Sequence, residues 1–183
     1  REASATVFSN IYAEGYPGWR MTEPSNRNWS DHEEHLAAYR RYADARYYKG
    51  CDYVNFVESI AIKRCAALFA NDRAPADSIH VNVQALSGAA ANNAVYTALI
   101  KPGGVVLGMH LNQGGHLTHG NPSNRSGLFY RVHHYGIDRV TGRIDYDQIA
   151  RMAAELRPQL IIAGASAYPW TIDWDRLRAI CDE

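Results

Sequence analysis

The run over residues 107–120, L-G-M-H-L-N-Q-G-G-H-L-T-H-G, sets His116 in a glycine-rich loop behind a strand-like apolar stretch. Glycines let such a loop lie flat against a ligand, and an imidazole beside them can stack on a ring or bond to it. The same residues also describe an ordinary solvated turn, so their chemistry depends on their company. Ser87 and Gly88 are a second candidate. There a strand-like stretch, a small turn and a helix start bring backbone N–H groups and the positive end of a helix dipole to one point, which suits a phosphate. A plain serine N-cap has the same sequence signature. Ser166 follows a buried-strand pattern and offers a hydroxyl to a ligand or to a neighbouring backbone group. His119 lies three residues after His116, yet no third ligand has the spacing of a known metal site. His32 and His35 meet the same objection, and no metal is assigned.

The elements that must hold these residues alternate along the chain. Residues 52–70 carry Val54, Val57, Ile60, Ala61, Cys65 and Leu68 at helical spacing, which predicts a packed helix. Val81 and Val83 predict a short strand leading to Ser87. Residues 89–100 read as a helix stopped by Pro102-Gly103-Gly104. Residues 105–109, 128–133 and 160–163 are three strand candidates, while 145–156, opened by Asp145, and 173–181 are further helices. This order predicts an α/β domain with a mainly parallel sheet, whose ligands bind beyond the carboxyl ends of the strands.

Composition narrows the function classes. The chain has 183 residues, 46% of them hydrophobic, enough to bury a core. Lys+Arg and Asp+Glu are both 19, and this balance argues against nucleic acid as a partner. No stretch has the apolar length of a membrane span, and the first residues lack a signal-peptide pattern. Cys51, Cys65 and Cys181 form no C-x-x-C pair and read as reduced thiols, so the expected compartment is the cytoplasm.

Four further blocks accompany the loop: Y-A-E-G-Y-P-G at 12–18, R-Y-Y-K-G-C at 46–51, Q-A-L-S-G-A-A-A-N at 84–92 and I-I-A-G-A-S-A-Y at 161–168. In this order they resemble serine hydroxymethyltransferase, the pyridoxal-phosphate enzyme that moves a one-carbon unit between serine and tetrahydrofolate. The resemblance runs along nearly the whole chain apart from one inserted segment, and blocks in fixed order are far more specific than any one alone. It implies the front part of the large domain of a fold-type I pyridoxal-phosphate transferase, aspartate aminotransferase-like, with helices flanking the sheet. Residues 1–50 would be an N-terminal arm containing the insertion 19–45, and 51–183 the first part of the cofactor-binding domain. The implied reaction converts serine and tetrahydrofolate reversibly into glycine and methylenetetrahydrofolate, in a homodimer or dimer of dimers.

Residue by residue, the resemblance implies a phosphate cradle at Ser87, Gly88 and Ala89. The family usually has histidine before this serine and serine or alanine with glutamine after the glycine, whereas this chain has Leu86, Ala89 and Ala90. Loss of one hydroxyl bond to an anion weakens the cradle by about 1.5–3 kcal/mol. His116 would stack on the pyridine ring, Ser166 would face its phenolic oxygen, and Leu111, Gly115 and Leu117 would contact folate. From the arm, Tyr12 would approach the phosphate of the partner subunit's site, and Tyr48, with Tyr47 beside it, the substrate carboxylate. Glu14 would manage the proton of the serine hydroxyl, so the implied catalytic set is Glu14, His116 and Tyr48. Lys49, Lys63 and Lys101 stand in the wrong contexts for the cofactor lysine. That lysine and the aspartate pairing the pyridinium are expected beyond residue 183, and both ends read as cut from a longer chain.

The inserted segment 19–45 exceeds a structureless loop of about 12–15 residues. Ser30-Asp31-His32-Glu33 has the form of a capping box, and Leu36, Tyr39 and Tyr42 follow at helical spacing. A helix there could line the substrate entrance or thicken a dimer interface; both readings stay open. The insertion, with Leu86, Ala89 and Ala90, also motivates a divergent aldolase or transaldolase acting on another β-hydroxy amino acid. A third reading is a catalytically silent homologue or fragment that only dimerises.

Overall fold

The structure is a computed structural model that describes residues 2, 5–17, 31, 33, 34, 37 and 46–183. Most of the insertion, with His32, His35, Leu36, Tyr39 and Tyr42, lies outside the described residues. Within it, Asp31 accepts a hydrogen bond from the Glu34 N–H at 3.0 Å, as an N-cap does. The chain divides into two compact units, Arg1–Gln84 and Ala85–Glu183. No helix among the described residues is long and apolar enough to cross a membrane.

The first unit is built on helix α1, Asp52–Phe69. Its buried residues are Asn55, Ser59 and Ala66, whereas Val57 and Leu68 of the expected apolar stripe are 49% and 77% exposed. Apolar residues occur all round this helix, so periodicity alone cannot choose the buried face. The choice falls to Asn55, which accepts a bond from the buried Arg46. Val81 and Val83 lie in irregular chain rather than the expected strand. β-branched residues extend a chain but form a strand only against an edge that pairs with them.

The second unit runs α2 (Gly88–Leu99), β1 (Val105–Met109), α3 (Arg125–Phe129), β2 (Arg131–Tyr135), α4 (Tyr146–Leu156), β3 (Leu160–Ile161) and α5 (Trp174–Asp182). The three strands form a parallel sheet in the order β2–β1–β3, with Val105 opposite Arg131 and Val106 opposite Leu160. Alternation along β1 sends Leu107 and Met109 into a core with Tyr135, Ile144, Ile149 and Leu177. Val106 packs with Tyr96 and Ile100 in a second cluster. Both faces of the central strand are therefore covered by helices, as a parallel sheet requires.

Asp145 and Asp173 cap α4 and α5, accepting from the N–H groups of Gln148 and Arg176. Two strand boundaries differ from expectation. Leu128 and Phe129 belong to α3, because the Asn124 side chain caps a short helix by accepting from Ser126 N–H at 3.0 Å, and β2 begins only at Arg131. β3 keeps two of its four expected residues, although Gln159 N–H to Val105 O (2.9 Å) and Ile162 N–H to Leu107 O (2.8 Å) extend its pairing with β1.

Candidate active site

In the second unit the candidate residues gather on the loop that follows β1. His110 N–H donates to Tyr135 O at 2.9 Å, after which the chain makes two single helical turns, Leu111–Gln113 and Leu117–His119. Gly108 permits this return, since a Cβ there would stand 2.8 Å from the His119 carbonyl oxygen. Gly114 adopts φ 108°, a conformation that suits glycine, and its carbonyl accepts from Ser166 N–H (2.8 Å) and Ala167 N–H (3.1 Å). The loop after β1 is thereby joined to the segment after β3, beyond the strand ends where open α/β sheets bind ligands.

His116 is half-buried, with Nδ1 2.8 Å from Thr118 Oγ1 and 3.2 Å from the Thr118 backbone nitrogen. Its own N–H donates to His119 Nδ1 at 3.2 Å. Thr118 is fully buried; Asn92 Nδ2 donates to its hydroxyl at 2.8 Å and the Tyr96 hydroxyl donates to its carbonyl at 2.7 Å. Asn92 and Tyr96 are one turn apart on α2, so this helix holds the histidine loop.

The start of the same helix carries Ser87, Gly88 and Ala89. Ser87 Oγ accepts from Ala90 N–H at 3.2 Å, so the N-cap reading is realised at the hydroxyl. By helix geometry the N–H groups of Gly88 and Ala89 have no carbonyl partner within the helix. A Cβ on Gly88 would meet nothing within 4 Å, which leaves room for an anion at this end. Leu86 is exposed beside it. Leu111 and Leu117 are exposed on the histidine loop, Gly115 is buried in it, and Ser166 is exposed. The donor set of helix N–H groups, a serine hydroxyl and an imidazole is of the kind that suits a phosphorylated aromatic ring.

Burial governs the electrostatics here. His119 is lowered from 6.5 to about 4, first by loss of solvent and then by the neighbouring His116 and His134. An uncharged His119 is what its accepting Nδ1 requires. Burial, followed by His110 at a ring separation of 5.3 Å, also lowers His134. Among the described residues, no group of three or more His, Cys, Asp or Glu could hold a metal ion.

The arm residues gather in the first unit. Gly15 and Arg46 form an antiparallel bridge, and Tyr47 N–H donates to Glu14 O at 3.0 Å. The rings of Tyr12 and Tyr48 stand 5.5 Å apart, tilted by 40°. Arg46 holds the arrangement. Its guanidinium donates to the carbonyls of Ala13 and Gly15, to Asn55 Oδ1 at 2.7 Å and to the Glu58 carboxylate. Gln84 Nε2 then bridges Gly15 O and Glu58 Oε1, 2.8 Å from each. Tyr12, Glu14, Tyr47 and Tyr48 are thus neighbours along the bridged segments of the first unit, and all four are exposed. The remaining candidates, Ser87, Gly88, Ala89, Leu111, Gly115, His116, Leu117 and Ser166, belong to the second unit.

Arg46, Asn92 and Thr118 organise these groups and were not singled out from sequence. Their available signals were slight: an arginine flanking two tyrosines, an asparagine one turn before a tyrosine, and a threonine between two histidines.

A three-stranded parallel sheet covered by helices, with a glycine loop following its central strand, defines the second unit as an α/β domain. The sequence profile of the serine hydroxymethyltransferase family matches residues 38–183. A serine hydroxymethyltransferase from Dehalococcoides mccartyi is 43% identical over 182 residues, covering 100% of this chain and 36% of that protein. The chain belongs to the serine hydroxymethyltransferase family, and membership implies a fold-type I pyridoxal-phosphate domain. It spans about a third of the relative's length.

Proposed function

We propose that this chain forms the cofactor-facing front of an enzyme that transfers the hydroxymethyl group of serine to tetrahydrofolate, giving glycine. The observation that carries this reading is the tie between the start of α2 and the His116 loop through Asn92 and Thr118. Pyridoxal phosphate, when bound, supplies the electron sink for cleavage at the α-carbon, while the protein supplies orientation. Ser87 and the N–H groups of Gly88 and Ala89 hold the phosphate. His116 lies on the aromatic ring and Ser166 donates to its phenolic oxygen. Leu111, Gly115 and Leu117 receive the folate. Residues 1–50 act as an arm onto the partner subunit of a homodimer: Tyr12 turns to the phosphate, Tyr47 and Tyr48 bind the substrate carboxylate, and Glu14 holds the proton of the serine hydroxyl. Residues 51–183 form the first part of the large domain.

The test is to purify the full-length protein and add pyridoxal phosphate, then serine with and without tetrahydrofolate. A new visible absorption band and folate-dependent formation of glycine are expected. Absence of any band after cofactor addition defeats the reading. A second reading is favoured by Leu86, Ala89 and Ala90 at the cradle: a divergent aldolase on another β-hydroxy amino acid. Cofactor binding with folate-independent cleavage of such an amino acid, and no folate-dependent turnover of serine, would select it.

A further inference from the structure

We infer that Thr118 and Asn92 are positioning residues that fix His116 as the tautomer carrying its proton on Nε2. The backbone N–H of Thr118 lies 3.2 Å from His116 Nδ1 and can only donate, so Nδ1 must present its lone pair. The Thr118 hydroxyl, 2.8 Å from the same nitrogen, then turns its hydrogen towards it. With that hydrogen committed, the hydroxyl oxygen is free to accept, and Asn92 Nδ2 donates to it at 2.8 Å. The Asn92 amide thus has an acceptor in the hydroxyl oxygen, and the Thr118 hydroxyl and N–H share the Nδ1 lone pair.

The opposite tautomer fails on the same geometry. A proton on Nδ1 could reach only Thr118 Oγ1, which would leave the Thr118 N–H facing a donor and the hydroxyl hydrogen without its acceptor, in a place where Thr118 is wholly removed from solvent. Buried donors without acceptors are strongly disfavoured. Thr118 cannot rotate away to relieve the conflict, because its carbonyl is held by the buried Tyr96 hydroxyl at 2.7 Å. The histidine main chain is fixed as well, by its N–H bond to His119 Nδ1 at 3.2 Å. Both the ring plane and the tautomer are therefore set from α2 before any ligand arrives. Nε2–H is left as the outward donor.

The use of that prepared ring rests on the cofactor reading above, whereas the tautomer itself does not. The experiment separates them. Full-length protein with 15N-labelled histidine rings is examined by long-range proton–nitrogen NMR without cofactor, the His116 signals being assigned by their loss in His116→Asn. Unprotonated Nδ1 and protonated Nε2 are expected. Asn92→Ala, which frees the Thr118 oxygen to accept, should shift the tautomer ratio up to about tenfold towards Nδ1–H, the equivalent of one hydrogen bond. Thr118→Val keeps the backbone N–H and removes the one oxygen an Nδ1 proton could reach, so it should keep the native tautomer while holding the ring less firmly. In a parallel titration with pyridoxal phosphate, Thr118→Val should bind about tenfold more weakly and Thr118→Ser like the native protein. A native His116 protonated on Nδ1 overturns the inference, as does a ratio unmoved by Asn92→Ala or moved towards Nδ1–H by Thr118→Val. Should Thr118→Val fail to fold, the native spectrum and Asn92→Ala still decide. The expected tautomer in a protein that takes up no pyridoxal phosphate would uphold this inference and sink the proposed function.

Discussion

Glu14 and His119 illustrate how differently single residues in this chain enter function. Glu14 touches its surroundings through its backbone, accepting from Tyr47 N–H, and its side chain is exposed. Glu14→Gln should therefore leave cofactor uptake intact while lowering serine turnover by about 10²–10⁴-fold, the usual share of a positioned acid–base group. Comparing the cofactor absorption titration with the rate of glycine formation checks this. His119 acts from inside. Its folded value of about 4 lies below the ordinary 6.5, so between these values the unfolded chain binds a proton that the folded chain does not. Stability from this group is complete above about pH 6.5 and falls as the pH drops towards 4, by up to about 1.4 kcal/mol per unit and about 3 kcal/mol altogether. His119→Asn keeps an acceptor for His116 N–H and cannot titrate. Urea unfolding of the full-length protein at pH 7 and pH 4.5 should show a smaller loss in this variant; an unchanged difference would place the titration elsewhere. His116 stood out in the sequence through the blocks that flank it, since its glycines alone also describe a solvated turn. Thr118 did not, because a buried hydroxyl leaves no periodic mark and its role depends on Asn92, 26 residues away.

At the level of elements, the loop and the sheet make one packed object. β1 carries apolar side chains on both faces, yet at Gly108 it carries none, and the His119 carbonyl occupies that space. Gly108→Ala would place a methyl 2.8 Å from a backbone oxygen that belongs to the loop turn. A clash with backbone relaxes poorly, and overpacking of this kind costs about 1–3 kcal/mol. The expected result is a lower urea midpoint together with weaker cofactor binding, because the turn that moves also carries His116. A variant with full stability and unaltered binding would show that the loop yields freely. Helices α4 and α5 were legible because each has a capping aspartate and one apolar face. The buried face of α1 was not, since that choice depends on an arginine outside the helix. The start of β2 escaped for a similar reason: one asparagine cap converts an apolar run into a helical turn before the strand begins.

At the scale of the whole molecule, the proposed dimer has two features to account for, the exposed apolar side chains of α1 and the candidate residues held in two separate units. Tyr53, Val57, Leu68 and Phe69 are each between 49% and 77% exposed, more apolar surface than one helix usually offers to water. In the proposed dimer, a second copy covering this helix would hide them. The proposed function then requires that one working site draw Glu14 from one chain and His116 from the other. Full-length Glu14→Gln and His116→Ala chains should each be nearly inactive, yet after mixed refolding each hybrid dimer contains one site in which both residues are native. With random pairing, roughly a quarter of native activity should return in the mixture of symmetric and hybrid dimers. Were both residues supplied by the same chain, every site in a hybrid would lack one of them and mixing would restore nothing. Recovery measured alongside size-exclusion chromatography therefore tests the dimer and the sharing of its sites together, and activity from a demonstrated monomer would refute both.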